Sequence, residues 1–254
     1  MISALHLLWI VPVCGAVGFA TAALLVANRK GEEEYNMRNA AIDKNTSLAE
    51  ACSLIHANAV AHGWWEDERD PEEIYALIHS EWSEALEEAR AGRTNKWHMC
   101  TADDHVDLCE GANCSYHDNG NCPYMASKPE GTYVELIDGV LRIMDYLGKT
   151  GGAQEYNAEP ATYYFTMEGP EGEEWTREVE SWSLPRLINE LHRETFAACA
   201  LRRGEESDLE AEALLRAATL VWTWVGGQGL DPATMLAEKH AYNLTRPYKH
   251  GKKF

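Results

Sequence analysis

The sequence predicts an all-α fold, a helical bundle interrupted by a cysteine-rich loop insert and a β-hairpin and preceded by a transmembrane helix. Three observations predict it. Apolar residues recur at helical spacing in six segments of the 254-residue chain. Several of these segments open on a capping residue followed by proline. The connections between most of them are short, as in a bundle of antiparallel neighbours.

The elements follow in order. Residues 4–27, ALHLLWIVPVCGAVGFATAALLVA, carry no formal charge, and about 20 apolar residues span a bilayer as a helix. Arg29 and Lys30 follow immediately, which favours a cytoplasmic C-terminal side. A cleaved signal peptide and a native start at Met37 are the competing readings. Residues 1–30 are therefore read as an anchor, 31–47 as a polar linker, and 48–254 as the globular domain. A first amphipathic helix covers 47–62. The second starts at Asp70-Pro71-Glu72-Glu73, an N-cap aspartate with proline and acids in the first turn, and ends near Gly92. A third runs from Thr132 to about Gly148. Ser183 with Pro185, and Asp231-Pro232, mark the starts of helices over 184–203 and 232–244, with another over 207–225 between them. The β-forming stretches ATYYFTM and WTREVESW flank EGPEGEE, so the spacing predicts a hairpin within 160–183.

Two acidic motifs carry the chemistry: Glu81-x-x-Glu84 on the second helix and Glu135-x-x-Asp138 on the third. Carboxylates three apart on a helix share a surface, and four of them brought to one spot attract Mg²⁺ or Mn²⁺ and, through the metal, a phosphate. With 41 acidic residues in the chain, most such pairs mark only a solvated face. At about 100° per residue, Glu81, Glu84 and Glu88 fall within about 60° of arc and border the apolar stripe of Ile74, Leu77, Ile78 and Ala85. Burial is expected there and needs a compensating partner. On the third helix, Glu135, Asp138, Arg142 and Asp145 occupy about 80° of arc opposite the apolar residues, which by itself fits a solvent face.

The segments HSEWSEALEEARAG, KPEGTYVELIDGVLRIMDYLG and EKHAYNLTRPYKHGKKF, in that order, resemble the MazG-like all-α nucleotide pyrophosphohydrolases of bacterial and phage type. The resemblance covers roughly 48–150 and 185–250. It implies that Glu81, Glu84, Glu135 and Asp138 ligate Mg²⁺ or Mn²⁺. It further implies a homo-oligomer that hydrolyses a nucleoside triphosphate, a deoxynucleotide above all, to monophosphate and pyrophosphate. A carboxylate not fully engaged with metal would orient the attacking water, Glu84 before Glu81. The spacer between the motifs is longer than in that family.

Net charge is −19, which argues against nucleic acid as a partner. The C-terminal stretch runs against this balance: Lys239, Arg246, Lys249, Lys252 and Lys253 occur there with no acid among them. Lys239, Asn243 and Arg246 would share one face if their helix ran on, suited to gripping phosphates, although Pro247 ends it at or before Arg246. Tyr248, Trp64 and Trp65 are candidates to stack on a base, with core packing the alternative for the tryptophans. A solubilising tail is the plain alternative for the basic stretch. The insert over 94–130 holds Cys100, Cys109, Cys114 and Cys122, four of the seven cysteines. A structural Zn²⁺ is one reading, reduced thiols in a loop the other, since the C-x2-C knuckle of common zinc modules is missing. Cys14, Cys52 and Cys199 lie on apolar or helical segments and read as packing residues. No nucleophile elbow, H-E-x-x-H or phosphate-binding loop occurs.

Overall fold

The computed structural model describes residues 41–94, 97–99, 108–109, 128–154, 165, 169–204 and 207–251; of 97–99, 108–109, 169–170, 207 and 250–251 only the backbone is described. The chain divides into two compact units, Met1–Ala41 and Ile42–Phe254, and the described helices, the described short strands and the candidate site belong to the second. The apolar stretch over 4–27 lies outside the described residues. Among the described residues, no helix is long and apolar enough to cross a membrane.

The second unit is mostly helical, as expected. Among the described residues its helices are α1 (Leu48–Ala61), α2 (Pro71–Arg90), α3 (Thr132–Thr150), α4 (Gly169–Glu180), α5 (Leu184–Arg203), α6 (Ser207–Gly227) and α7 (Pro232–Leu244), with a 3₁₀ turn at Tyr248–Gly251. The caps are where the residue types put them. Ser47 accepts from the Glu50 amide, Asp70 from that of Glu72 and Asp231 from that of Ala233. Pro71 and Pro232 begin their helices, where the missing N–H costs nothing.

Helix α3 is the centre of the unit and packs against α1, α2, α6 and α7. Its apolar face supplies Leu136, Ile137, Val140, Ile143, Met144 and Leu147 to the core. Two glycines let neighbours come close. A β-carbon on Gly139 would lie 2.1 Å from Trp82 Cζ3 of α2, and one on Gly148 would lie 2.4 Å from the Cys52 carbonyl oxygen of α1. Gly148 is thus a contact point rather than the end of the helix, which runs on to Thr150.

Two sequence expectations need correction. The hairpin over 160–183 is not formed across its second half: Gly169–Glu180 is α4. Trp175, Val179 and Trp182 recur at i, i+4 and i+7, which is a helical period, and the acid-rich start suits a helix N-terminus. Val179 is fully buried, whereas Trp175 and Trp182 pack partly buried against the core. Of the first flank, Phe165 is buried with its ring 4.7 Å from that of Trp222. The insert, expected as a loop, contains three short strands, β1 (Trp97–Met99), β2 (Leu108–Cys109) and β3 (Lys128–Glu130), in the antiparallel order β2-β1-β3. Strand β3 runs directly into α3 and also touches α7.

Candidate metal and phosphate site

The two acidic motifs face each other across the α2–α3 contact. Glu81, Glu84 and Glu135 each bring one carboxylate oxygen to within 4.8 Å of the others. Gly139 and Trp82, the residues directly after Asp138 and Glu81, form the close contact that sets the helices at this separation. Glu84 is exposed, Glu81 is 5% exposed and Glu135 is 4% exposed.

The burial of Glu135 overturns the solvent-face reading of its side of α3. Periodicity located the polar stripe correctly, but β3, α7 and α2 pack over it. Asp138 and Asp145 are likewise mostly covered.

The buried charges are only partly offset. Arg142 Nε donates to Glu81 Oε1. Lys239, 1% exposed, sends its ammonium to Asp138 Oδ2 at 2.8 Å and to the Pro129 carbonyl at 3.0 Å. Burial raises the Glu81 carboxyl above its ordinary value; Asp138 and Glu84 add to the rise, and Arg142 opposes it. Burial likewise pushes Glu135 up to about 10, helped by a hydrogen bond with Glu130 and the charge of Asp138, against Lys239. At Glu130, burial is outweighed by the hydrogen bond with Glu135 and by Lys128, so its carboxylate sits below the ordinary value. The opposite shifts of the pair favour a shared proton with Glu135 as the donor and Glu130 as the acceptor. Such a set, hard oxygen donors crowded beyond what the chain's own cations neutralise, has the chemistry to hold a divalent cation.

A cavity of about 360 Å³ opens beside these acids. Glu81, Glu84 and Asp138 line one part of it, Arg142, Asn243 and Arg246 another. Ile55, Asn58, Ala59, His62 and Trp64 extend the wall along α1 and the turn after it. At that end Asp145 accepts from His56 Nδ1 at 2.7 Å and from Trp65 Nε1 at 3.0 Å. Burial raises its carboxyl all the same.

The basic residues expected at the phosphates separate into groups. Arg246 and Asn243 line the cavity. Arg246 lies past the end of α7, as Pro247 requires. Lys239 instead points to Asp138, inside the protein. The Tyr248 hydroxyl donates to Glu66, and Lys249 Nζ lies 3.3 Å from the same carboxylate, so this segment folds back on the turn after α1. Lys252 and Lys253 lie outside the described residues. So do Cys100, Cys114 and Cys122, and Cys109 is described only as backbone of β2, which leaves the zinc expectation outside as well. Cys52 and Cys199 are buried and unpaired to other cysteines, in keeping with packing roles. Arg142 and Glu130 were not singled out as site residues from the sequence. The signal for Arg142 was present, because it shares the arc of Glu135 and Asp138. Glu130 depends on a strand pairing with no local signature.

No protein-family model, curated protein or solved structure matched this chain when it was compared with each.

Proposed function

We propose that this unit hydrolyses a nucleoside triphosphate, a deoxynucleotide above all, between the α and β phosphates to give a monophosphate and pyrophosphate. The observation that carries this reading is the convergence of Glu81, Glu84 and Glu135, from two motifs far apart in sequence, beside a cavity that also holds Arg142 and Arg246. Acids and arginines sharing one cavity suit a ligand that is a polyanion with its own cation.

Glu81, Glu84, Glu135 and Asp138 would hold Mg²⁺ or Mn²⁺. When bound, the cation supplies Lewis-acid charge that offsets the negative charge developing on the phosphates. Glu84, exposed and in no ion pair among the described residues, orients the attacking water and takes its proton. Arg246 and Asn243 grip the phosphates, and Trp64 offers a ring toward the far end of the cavity. The uncharged run over 4–27 with Arg29 and Lys30 behind it supports a membrane anchor that keeps the unit on the cytoplasmic side.

A second reading, a nucleotide-binding protein without turnover, is favoured by the ion pairs that already engage Asp138 and Glu81. Assay of the full chain against common triphosphates, with products separated by chromatography, decides between the two. The hydrolase reading expects monophosphate and pyrophosphate only with divalent cation. It also expects Glu84→Gln to lower turnover more than about a hundredfold, beyond what loss of an outer-shell partner costs, with the helical signal intact. Release of orthophosphate, or a normal rate in that variant, defeats it. Binding without turnover selects the second reading.

A further inference from the structure

Arg142 and Arg246 enter the same cavity from different elements, α3 and the segment after α7. They are not equivalent. Arg142 is committed to Glu81. The Arg246 guanidinium lies 5.8 Å from the centroid of the Tyr242 ring and pairs with no carboxylate among the described residues. Burial lowers its affinity for a proton, and the nearby positive charge of Arg142 adds to this. Asn243 lines the same cavity, and its Oδ1 is buried without a hydrogen-bond partner. An amide turned end for end there would present its NH₂, a donor, to an anion. Two guanidinium groups and a misplaced amide make a cradle for a phosphate.

We propose that Arg142 is an exchangeable guanidinium, which holds Glu81 while the site is empty and passes to a phosphate of the nucleotide when a divalent cation takes Glu81. The inference rests on the pyrophosphohydrolase reading and adds to it a residue that couples the two ligands. The physical reason is the burial of Glu81. A carboxylate 5% exposed is costly without a cation, and Arg142 supplies one. A metal ion and a guanidinium held on one carboxylate repel each other, so each weakens the other's hold on Glu81. The displaced Arg142 then needs an anion, and the planar fork of a guanidinium fits a phosphate. Metal alone therefore binds against Arg142, whereas metal with phosphate binds with its help, and by linkage the converse holds for phosphate. Arg246, already free of carboxylates among the described residues, forms the second arm.

The test is a Mn²⁺ titration of the full chain, with free Mn²⁺ counted by electron paramagnetic resonance, with and without inorganic phosphate. In the wild type, phosphate should tighten Mn²⁺ binding. Arg142→Gln removes the competitor, so Mn²⁺ alone should bind about fivefold or more tighter, the lower end of ordinary coupling, and phosphate should add correspondingly less. A residue with a merely structural role would loosen the metal site instead, so the sign is diagnostic. Arg142→Lys keeps the charge and loses the fork. Mn²⁺ alone should then bind as in the wild type while the gain from phosphate shrinks, which carries the test if the glutamine variant does not fold. Unchanged or weaker Mn²⁺ binding in folded Arg142→Gln, or an undiminished phosphate gain in Arg142→Lys, overturns the exchange and leaves the hydrolase reading standing. A wild type that binds no Mn²⁺ overturns both.

Discussion

Glu210 and Glu135 are 3% and 4% exposed, and the protein treats the two buried acids in opposite ways. Glu210, on α6, accepts from the Tyr75 hydroxyl and, at 2.7 Å, from that of Tyr146, with Arg202 3.9 Å away. Each phenol is raised by its own burial and then by Glu210, to about 12 at Tyr146. Both hydroxyls therefore keep their protons and act as donors. Glu135, on α3, faces Glu130 and Asp138 as well as the other two acids of the cluster. The first acid is satisfied by the chain's own donors and ties α2, α3 and α6 together. The second is raised by burial first, then by the hydrogen bond with Glu130 and the charge of Asp138, with Lys239 opposing. Burial of a carboxylate is thus no mark of function by itself. Burial without adequate compensation, beside a cavity, is the informative case.

That contrast is open to breakage, most severely at Glu135. Its carboxyl is raised from an ordinary 4.5 to about 10 in the folded protein. A raised value means the folded state holds a proton that the unfolded state has lost. Its contribution to stability is therefore complete below 4.5 and declines as pH rises toward 10, by at most about 1.4 kcal/mol per pH unit. Glu135→Gln carries no such proton. In chelator-treated protein, urea midpoints measured at several pH values should fall with rising pH in the wild type and much less in the variant. Parallel slopes would show that Glu135 is compensated as well as Glu210.

The next largest effect separates Asp138 from Glu84. Asp138→Asn leaves the buried Lys239 ammonium without its counter-charge, a loss of about 3 kcal/mol. Glu84→Gln, at an exposed position, should change stability by less than about 0.5 kcal/mol. On the hydrolase reading proposed above both abolish turnover, so thermal unfolding rather than activity distinguishes them. Equal stabilities would mean that Lys239 is not anchored through Asp138. The smallest effect sharpens the other side of the comparison. Tyr75→Phe and Tyr146→Phe each remove a donor to Glu210 and should cost about 1.5–3 kcal/mol in chemical denaturation, with metal binding unaltered. A neutral result would place the satisfaction of Glu210 on Arg202 instead.

Local chemistry made most of the helices legible. Asp70-Pro71 and Asp231-Pro232 each combine a capping oxygen with a residue that has no amide hydrogen to waste, and both helices begin there. The hairpin expectation over 160–183 failed because aromatic and β-branched residues favour strands only on average. Trp175 and Val179 find a helical face to pack, and Trp182 follows just past the end of α4. Within the site, the two motifs were legible as i, i+3 pairs; Glu81, Glu84 and Glu135 come together, while Asp138 is not part of that cluster and pairs with Lys239. Lys239 was legible as a cation near the acids, but its partner was not, because α7 and Asp138 are joined only by the fold.

The sequence by itself determined where most of the described helices other than α4 start, which arc of them is apolar, and that Glu135, Asp138, Arg142 and Asp145 lie along one stripe of α3. These follow from the helical period and from capping, both of which act within a few residues. Only the tertiary structure decided that this stripe is covered, that Arg142 holds Glu81 and Lys239 holds Asp138, and that Glu130 shares a hydrogen bond with Glu135. The physical reason is that desolvation and charge pairing depend on which surfaces meet. For α3 those surfaces belong to α2, β3 and α7, brought to it from both ends of the folded unit.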